Sequence, residues 1–143
     1  MEKFSMKKQP KFKEPKFQEI DKLLRKSKED EAVLTMSIND QKISDSIFGF
    51  HAQQAVEKMF KAILTFYGIE FPKTHDLSTL SEYFQSNKID FPFSLDELEI
   101  LTPYAVTLRY DDEIEVDFDR HFVYQMVKNI RNWTEGIIKN KKS

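Results

Sequence analysis

The chain has 143 residues, no cysteine, three glycines and a formal net charge of -2 at pH 7. A chain of this length fits one domain with one core, and the lack of cysteine excludes disulfides, thiolate catalysis and cysteine-based zinc sites. The nearly balanced charge does not predict general nucleic-acid binding. No apolar run approaches the roughly 18 residues that span a bilayer, so the cytoplasm is the expected location.

Residues 1–16 are predicted to form a flexible basic tail ahead of a helical domain over residues 17–140. The segment holds six lysines against two glutamates and two prolines, with Phe4 and Phe12 as its bulky apolar residues. This composition is typical of a mobile terminus. The alternative is an arm that contacts phosphates or a partner.

The first predicted helix covers about residues 17–39, and the middle of its apolar face is polar. The apolar positions on that face are Ile20, Leu24, Leu34 and Ile38. Ser27 and Glu31 continue the same stripe, where a simple bundle helix would stay apolar. Two interpretations remain open: the helix curves away from the core there, or Asp30 or Glu31 faces a cleft against the second helix.

The second predicted helix begins near residue 43 or 44, and the rest of the chain is organised around it. Its apolar residues recur at intervals of three and four, which is typical of a buried helix. They are Phe48, Ala52, Ala55, Val56, Met59, Phe60, Ala62, Ile63, Phe66 and Tyr67. A regular polar stripe follows the remaining side, which makes it a candidate site. The stripe consists of His51, Gln54, Lys58 and Lys61, with Gln53 and Glu57 beside it.

Turn and cap residues predict where the next two helices begin. Gly68 tolerates the left-handed conformation that ends a helix, and Asp76 is a candidate N-cap for a short third helix. Ser94, followed three residues later by Glu97, is a capping-box pattern that begins a fourth helix.

Pro103 should interrupt the fourth helix, because proline lacks the backbone N–H that an α-helix needs. We expect the helix to kink or restart there, with Thr102 as its cap. Residues 110–119 then hold six acidic residues and no basic one, which predicts an exposed loop.

A last helix from about residue 118 has apolar residues spaced close to four apart, which closes the bundle. They are Phe122, Met126, Ile130, Trp133 and Ile137. The chain is therefore predicted to be all-α: an antiparallel up-and-down bundle of five helices, four long and one short.

Three spaced motifs resemble the HEPN family of small helical proteins. They are HAQQAVEKMFKAIL from His51, GIEFPKTHDLSTL from Gly68, and LRY at Leu108 to Tyr110. The resemblance covers roughly residues 17–138. It implies a helical bundle that is frequently dimeric, and relatives that bind nucleotides, cleave RNA or pair with a small nucleotidyltransferase.

The chain departs from the resemblance at the residues that carry nuclease activity. In nuclease relatives an arginine is followed four to six residues later by a histidine, which supplies a cation for the phosphate and an imidazole for proton transfer. No arginine of this chain has a histidine at that interval. In addition, Asp111 follows Arg109-Tyr110 where a proline is common among relatives.

The three histidines do not predict a metal site. His51, His75 and His121 lack the i, i+4 spacing of helical ligand pairs, and no cysteine is available to complete a zinc site. The sequence also has no glycine-flanked serine elbow and no phosphate-binding glycine loop. We therefore expect no metal and no cofactor, and whether the protein is an enzyme stays open.

The sequence thus predicts a HEPN-type binding module, one that recognises a nucleotide or serves as one half of a toxin-antitoxin-like pair with a nucleotidyltransferase. The predicted nucleotide-binding residues are His51, Gln54, Lys58, Lys61, His75, Arg109 and Tyr110. Two alternatives remain: a metal-independent RNase with non-standard catalytic residues, and a structural dimerisation protein. A homodimer is expected from the resemblance and from aromatic residues in connections, such as Phe91 and Phe93.

Overall fold

The computed structural model describes residues 16–105 and 118–142, and within them all regular structure is helical. The five α-helices are α1 (Phe17–Ser37), α2 (Asp45–Phe66), α3 (Leu77–Ser86), α4 (Leu95–Leu98) and α5 (Arg120–Lys142). A 3₁₀ helix, Glu99–Tyr104, continues α4. The predicted all-α bundle of five helices is confirmed. The basic tail before residue 16 and the acidic residues 110–117 lie outside the described part of the chain.

The fourth helix is shorter than the sequence predicted. It keeps α geometry for four residues and then tightens into the 3₁₀ helix, which runs through Pro103 without restarting. In an α-helix the proline ring would clash with the carbonyl four residues earlier. That carbonyl belongs to Glu99, which is the residue where the 3₁₀ helix begins.

Helix α2 is the centre of the bundle and contacts α1, α3, α5 and the 3₁₀ helix. Most of its predicted apolar face is fully buried, and only Phe66 and Tyr67 at its end are partly exposed. Helix α5 runs in the same direction as α2. Arg120, the first residue of α5, pairs with Asp45, the first residue of α2, and Trp133 contacts Phe60 farther along the two helices. Helix α1 is antiparallel to both.

Two of the three predicted cap residues have the expected roles, whereas Thr102 caps no helix, because it lies inside the continuous 3₁₀ helix and its hydroxyl donates to Glu99 Oε1 at 3.1 Å. The Ser94 side chain accepts a hydrogen bond from the Glu97 N–H, and the Asp76 side chain accepts one from the Ser78 N–H. Gly68 has a φ of 71°, in the left-handed region that favours glycine. The chain can therefore turn sharply after α2 and return alongside it.

Phe91 and Phe93 are half-buried and pack around Trp133. Their ring centroids lie 5.5 and 5.3 Å from the Trp133 ring, and Phe84 stacks on Phe91 at 5.5 Å. Edge and stacked contacts of this kind add to the stability that burial alone provides. These two phenylalanines therefore pack against the core of the same chain, and they no longer support the expected homodimer.

The connection between α1 and α2 is held by Arg120, at the start of α5. Its guanidinium donates to the Asp45 carboxylate at 2.8 Å and to the main-chain carbonyls of Ser37, Asp40 and Ile43. These carbonyls lie near the helix ends, where no intrahelical partner exists.

No helix in the described ranges is long and apolar enough to cross a membrane.

Candidate functional site

The predicted polar stripe of α2 is half-buried, and the two residues beside it face other parts of the chain. Gln53 is fully buried, and Glu57 is nearly so. One half of the stripe faces α1, and the other half faces the connection that leads into α3. Buried charges are costly unless they are paired and hydrogen-bonded, and the partners are present on both sides.

Toward α1, the stripe converges on Asp30. The two oxygens of this buried carboxylate contact different residues of α2: Oδ1 lies 2.8 Å from His51 Nδ1, and Oδ2 lies 2.6 Å from Lys58 Nζ. The first helix therefore does not curve away from the core at its polar middle. Of the two interpretations left open by the sequence, the one in which Asp30 faces the second helix is confirmed.

Toward α3, the stripe converges on Glu57. His75 Nδ1 lies 3.1 Å from both carboxylate oxygens, and Lys61 Nζ lies 2.8 Å from Oε2. Gln53 Nε2 donates to the His75 carbonyl at 2.8 Å and to Glu57 Oε1 at 3.3 Å. His75 is thus held through both its ring and its main chain.

Gln54 joins the two halves into one network. Its side-chain amide donates to Gln53 Oε1 at 2.9 Å, while its carbonyl oxygen accepts from Lys58 Nζ at 3.4 Å. Five of the seven predicted site residues therefore belong to a single hydrogen-bonded assembly, which we call the polar network. It comprises Asp30, His51, Gln53, Gln54, Glu57, Lys58, Lys61 and His75.

The two lysines of the stripe already have anionic partners. Lys58 is paired with Asp30, and Lys61 with Glu57, and their side chains are only 24% and 18% exposed. They are therefore less solvated than ordinary surface lysines. A phosphate group could reach either cation only in competition with a buried carboxylate, which would then lose its partner.

The carboxylate of Glu57 determines which ring nitrogen of His75 carries the hydrogen. A carboxylate only accepts hydrogen bonds, so Nδ1 carries the hydrogen and donates it. In the neutral ring, Nε2 is then the acceptor. The His75 side chain is 54% exposed, whereas that of Glu57 is only 6% exposed. A buried anion thus orients an accessible imidazole, which is a common arrangement in binding and catalytic sites.

His75 lies at a cavity of about 570 Å³ between the start of α3 and the 3₁₀ helix. This space, the His75 cavity, is within the size range of small-molecule sites. It is lined by Gln53, Thr74, His75, Asp76, Leu77, Ser78, Glu99, Thr102 and Ala105. Among the predicted site residues that the structure describes, His75 alone lines it.

Other predicted residues are placed differently. Arg109 and Tyr110 lie outside the described residues, so whether Arg109 shares the cavity with the stripe stays a prediction. His121 is exposed on α5, beside an arginine that is occupied with the connection between α1 and α2. Within the described ranges, no group of three or more histidines and carboxylates could hold a metal ion.

Three members of the polar network, Asp30, Gln53 and Glu57, were outside the predicted nucleotide-binding residues. Gln53 was only placed beside the stripe, although its spacing of four from Glu57 puts both on one face of α2. Arg131 of α5 was not singled out at all. It pairs with Glu31 and donates to Ser27 Oγ at 2.6 Å. The polar middle of α1 could have indicated the Arg131–Glu31 pair, since a buried carboxylate requires a partner.

Comparison with known proteins identifies the family. The model of the family described as HEPN domain matches residues 20–139, which is most of the chain. No curated protein and no solved structure matches the sequence. The chain therefore belongs to the HEPN domain family, in agreement with the resemblance read from its motifs.

Proposed function

We propose that this member of the HEPN family is a binding module for a nucleotide, which it holds at the His75 end of the polar network. The module would work as a homodimer beside a small nucleotidyltransferase, in a two-component system. Arg109 and Tyr110 belong to the proposal on the grounds of sequence alone: a cation and an aromatic ring that suit a phosphate and a base.

The orientation of His75 by Glu57 is the observation that carries the proposal. A stable bundle does not need a buried carboxylate to hold an exposed ring, and apolar residues at such positions are often as stable or more so. Natural proteins depart from the most stable arrangement mainly at functional sites. The polar network therefore has a cost for stability that a ligand-binding role explains.

The first test is nucleotide binding by the full chain. Isothermal titration calorimetry with each of the four nucleoside triphosphates should detect binding of at least one of them. His75→Ala should lower that affinity about three- to tenfold, because a hydrogen bond between neutral groups contributes about 0.5–1.5 kcal/mol. His121→Ala removes an exposed histidine from another part of the surface and should leave the affinity unchanged.

The outcome that contradicts the proposal is equally direct. If none of the four nucleotides binds at millimolar concentration, the nucleotide-binding role is wrong. If His75→Ala and His121→Ala lower the affinity equally, the nucleotide binds elsewhere.

The proposed dimer has its own measurement. Multi-angle light scattering at micromolar concentration should return twice the chain mass of 17.0 kDa. The dimer is proposed because the family is frequently dimeric, and exposed apolar side chains such as Met36 and Phe122 offer surface for contact. Replacing Met36 by lysine tests one such contact, whereas a monomeric wild type would reject the dimer altogether.

A further inference from the structure

The charges around the His75 cavity do not suit a phosphate. Asp76 and Glu99 both line it, and neither lysine nor arginine is among its described lining residues. Lys58 and Lys61 lie in the polar network and are neutralised by Asp30 and Glu57. Among the described residues that line this space, a phosphate would meet two carboxylates and neither a lysine nor an arginine.

The start of α3 does not supply an anion site either. Helix N-termini attract anions because their first N–H groups lack partners. Here the Asp76 carboxylate already occupies that place: Oδ1 accepts from the Ser78 N–H at 3.1 Å, and Oδ2 accepts from Thr79 Oγ1 at 2.9 Å. A ligand phosphate would have to displace the helix's own cap.

The same groups are well suited to a ligand that donates hydrogen bonds. Neutral His75 presents Nε2 as an acceptor, because Glu57 holds the hydrogen on Nδ1. Glu99 is exposed, and its Oε1 accepts from Thr102 Oγ1 at 3.1 Å, which fixes the carboxylate against the cavity wall. Sugar hydroxyls and base amino groups are the donors that such acceptors recognise.

We propose that the His75 cavity binds the nucleoside end of the ligand, through its hydroxyl or amino groups, and not its phosphates. This inference rests on the proposed nucleotide-binding function and assigns the orientation of the ligand within it. The phosphates would then lie outside the cavity, away from Asp76 and Glu99.

The decisive variant is Glu99→Gln, because the two orientations predict effects of opposite sign. If Glu99 accepts from a ligand hydroxyl or amino group, removing its charge should weaken binding of the matching nucleoside, and of the nucleotide, about five- to tenfold. If a phosphate occupied the cavity, the same change would remove a repulsion and strengthen nucleotide binding. Glu99 is exposed, so the variant should fold. Glu97→Gln, an exposed glutamate outside the lining, is the matched control.

Calorimetry with three probes completes the test: the nucleoside triphosphate that binds, its nucleoside, and sodium tripolyphosphate. The expected result is that the nucleoside binds and competes with the nucleotide, and that tripolyphosphate does not compete at the His75 cavity. Stronger nucleotide binding by Glu99→Gln, or competition by tripolyphosphate without competition by the nucleoside, would overturn the inference while leaving the nucleotide-binding function intact. Absence of any nucleotide binding would instead reject the proposed function.

Discussion

Replacement of Arg131 by methionine should lower the free energy of unfolding by about 3–5 kcal/mol, because it leaves the buried Glu31 carboxylate without its cation. Arg131 Nε donates to Glu31 Oε2 at 2.8 Å, and the same guanidinium contacts Ser27 and, at 3.5 Å, Glu135. Both members of the pair are about nine-tenths buried. Urea denaturation followed by circular dichroism measures the change.

Two further variants separate the loss of the pair from the loss of a large side chain. Arg25→Met removes an exposed arginine from α1 and should change stability by less than about 0.5 kcal/mol. The double variant, Glu31→Leu with Arg131→Met, removes both charges and should recover much of the stability lost in the single variant. If the double variant is less stable than Arg131→Met alone, the unpaired carboxylate is not the cause.

Gly49→Ala should destabilise the protein by about 1–3 kcal/mol, although alanine is the better helix former. A Cβ atom at this position would lie 2.7 Å from the ring atoms Cγ and Cδ1 of Tyr104. Tyr104 is buried, and it also packs edge-on against Phe118, so its ring has little room to retreat. Thermal unfolding compared with the wild type measures the effect.

Gly136→Ala is the matched control for this prediction. Gly136 lies on α5, and a Cβ added there would meet nothing within 4 Å. This variant should be more stable than the wild type by about 0.5–1 kcal/mol, since only helix propensity changes. Equal effects of the two substitutions on stability would show that the contact with Tyr104 does not destabilise Gly49→Ala.

The Gly49 contact also bears on the candidate site. Tyr104 anchors the 3₁₀ helix against α2, and Glu99 and Thr102 of the same 3₁₀ helix form one wall of the His75 cavity. A side chain at position 49 would push this wall outward. Nucleotide binding by a folded Gly49→Ala protein is therefore expected to be weaker than that of the wild type.

The sequence by itself determined the elements of this protein. Residues such as Asp76, Ser94 and Gly68 act locally, because a cap or a left-handed turn needs only its immediate neighbours, and each has the role that its position predicted. The spacing of apolar residues likewise identified α2 as the buried centre. The length of α4 was the local feature that the sequence missed, since the tightening into a 3₁₀ helix begins at Glu99, four residues before the proline.

Only the tertiary structure decided what the polar stripe does. Periodicity placed His51 and Lys58 on one side of α2, but it could not show that Asp30 lies opposite them, because that depends on how α1 packs. It could not pair Arg131 with Glu31, which are 100 residues apart. Ion pairs between helices depend on the direction and register of both helices. A single sequence specifies which face of a helix is polar, whereas the identity of the group facing it is fixed by packing alone.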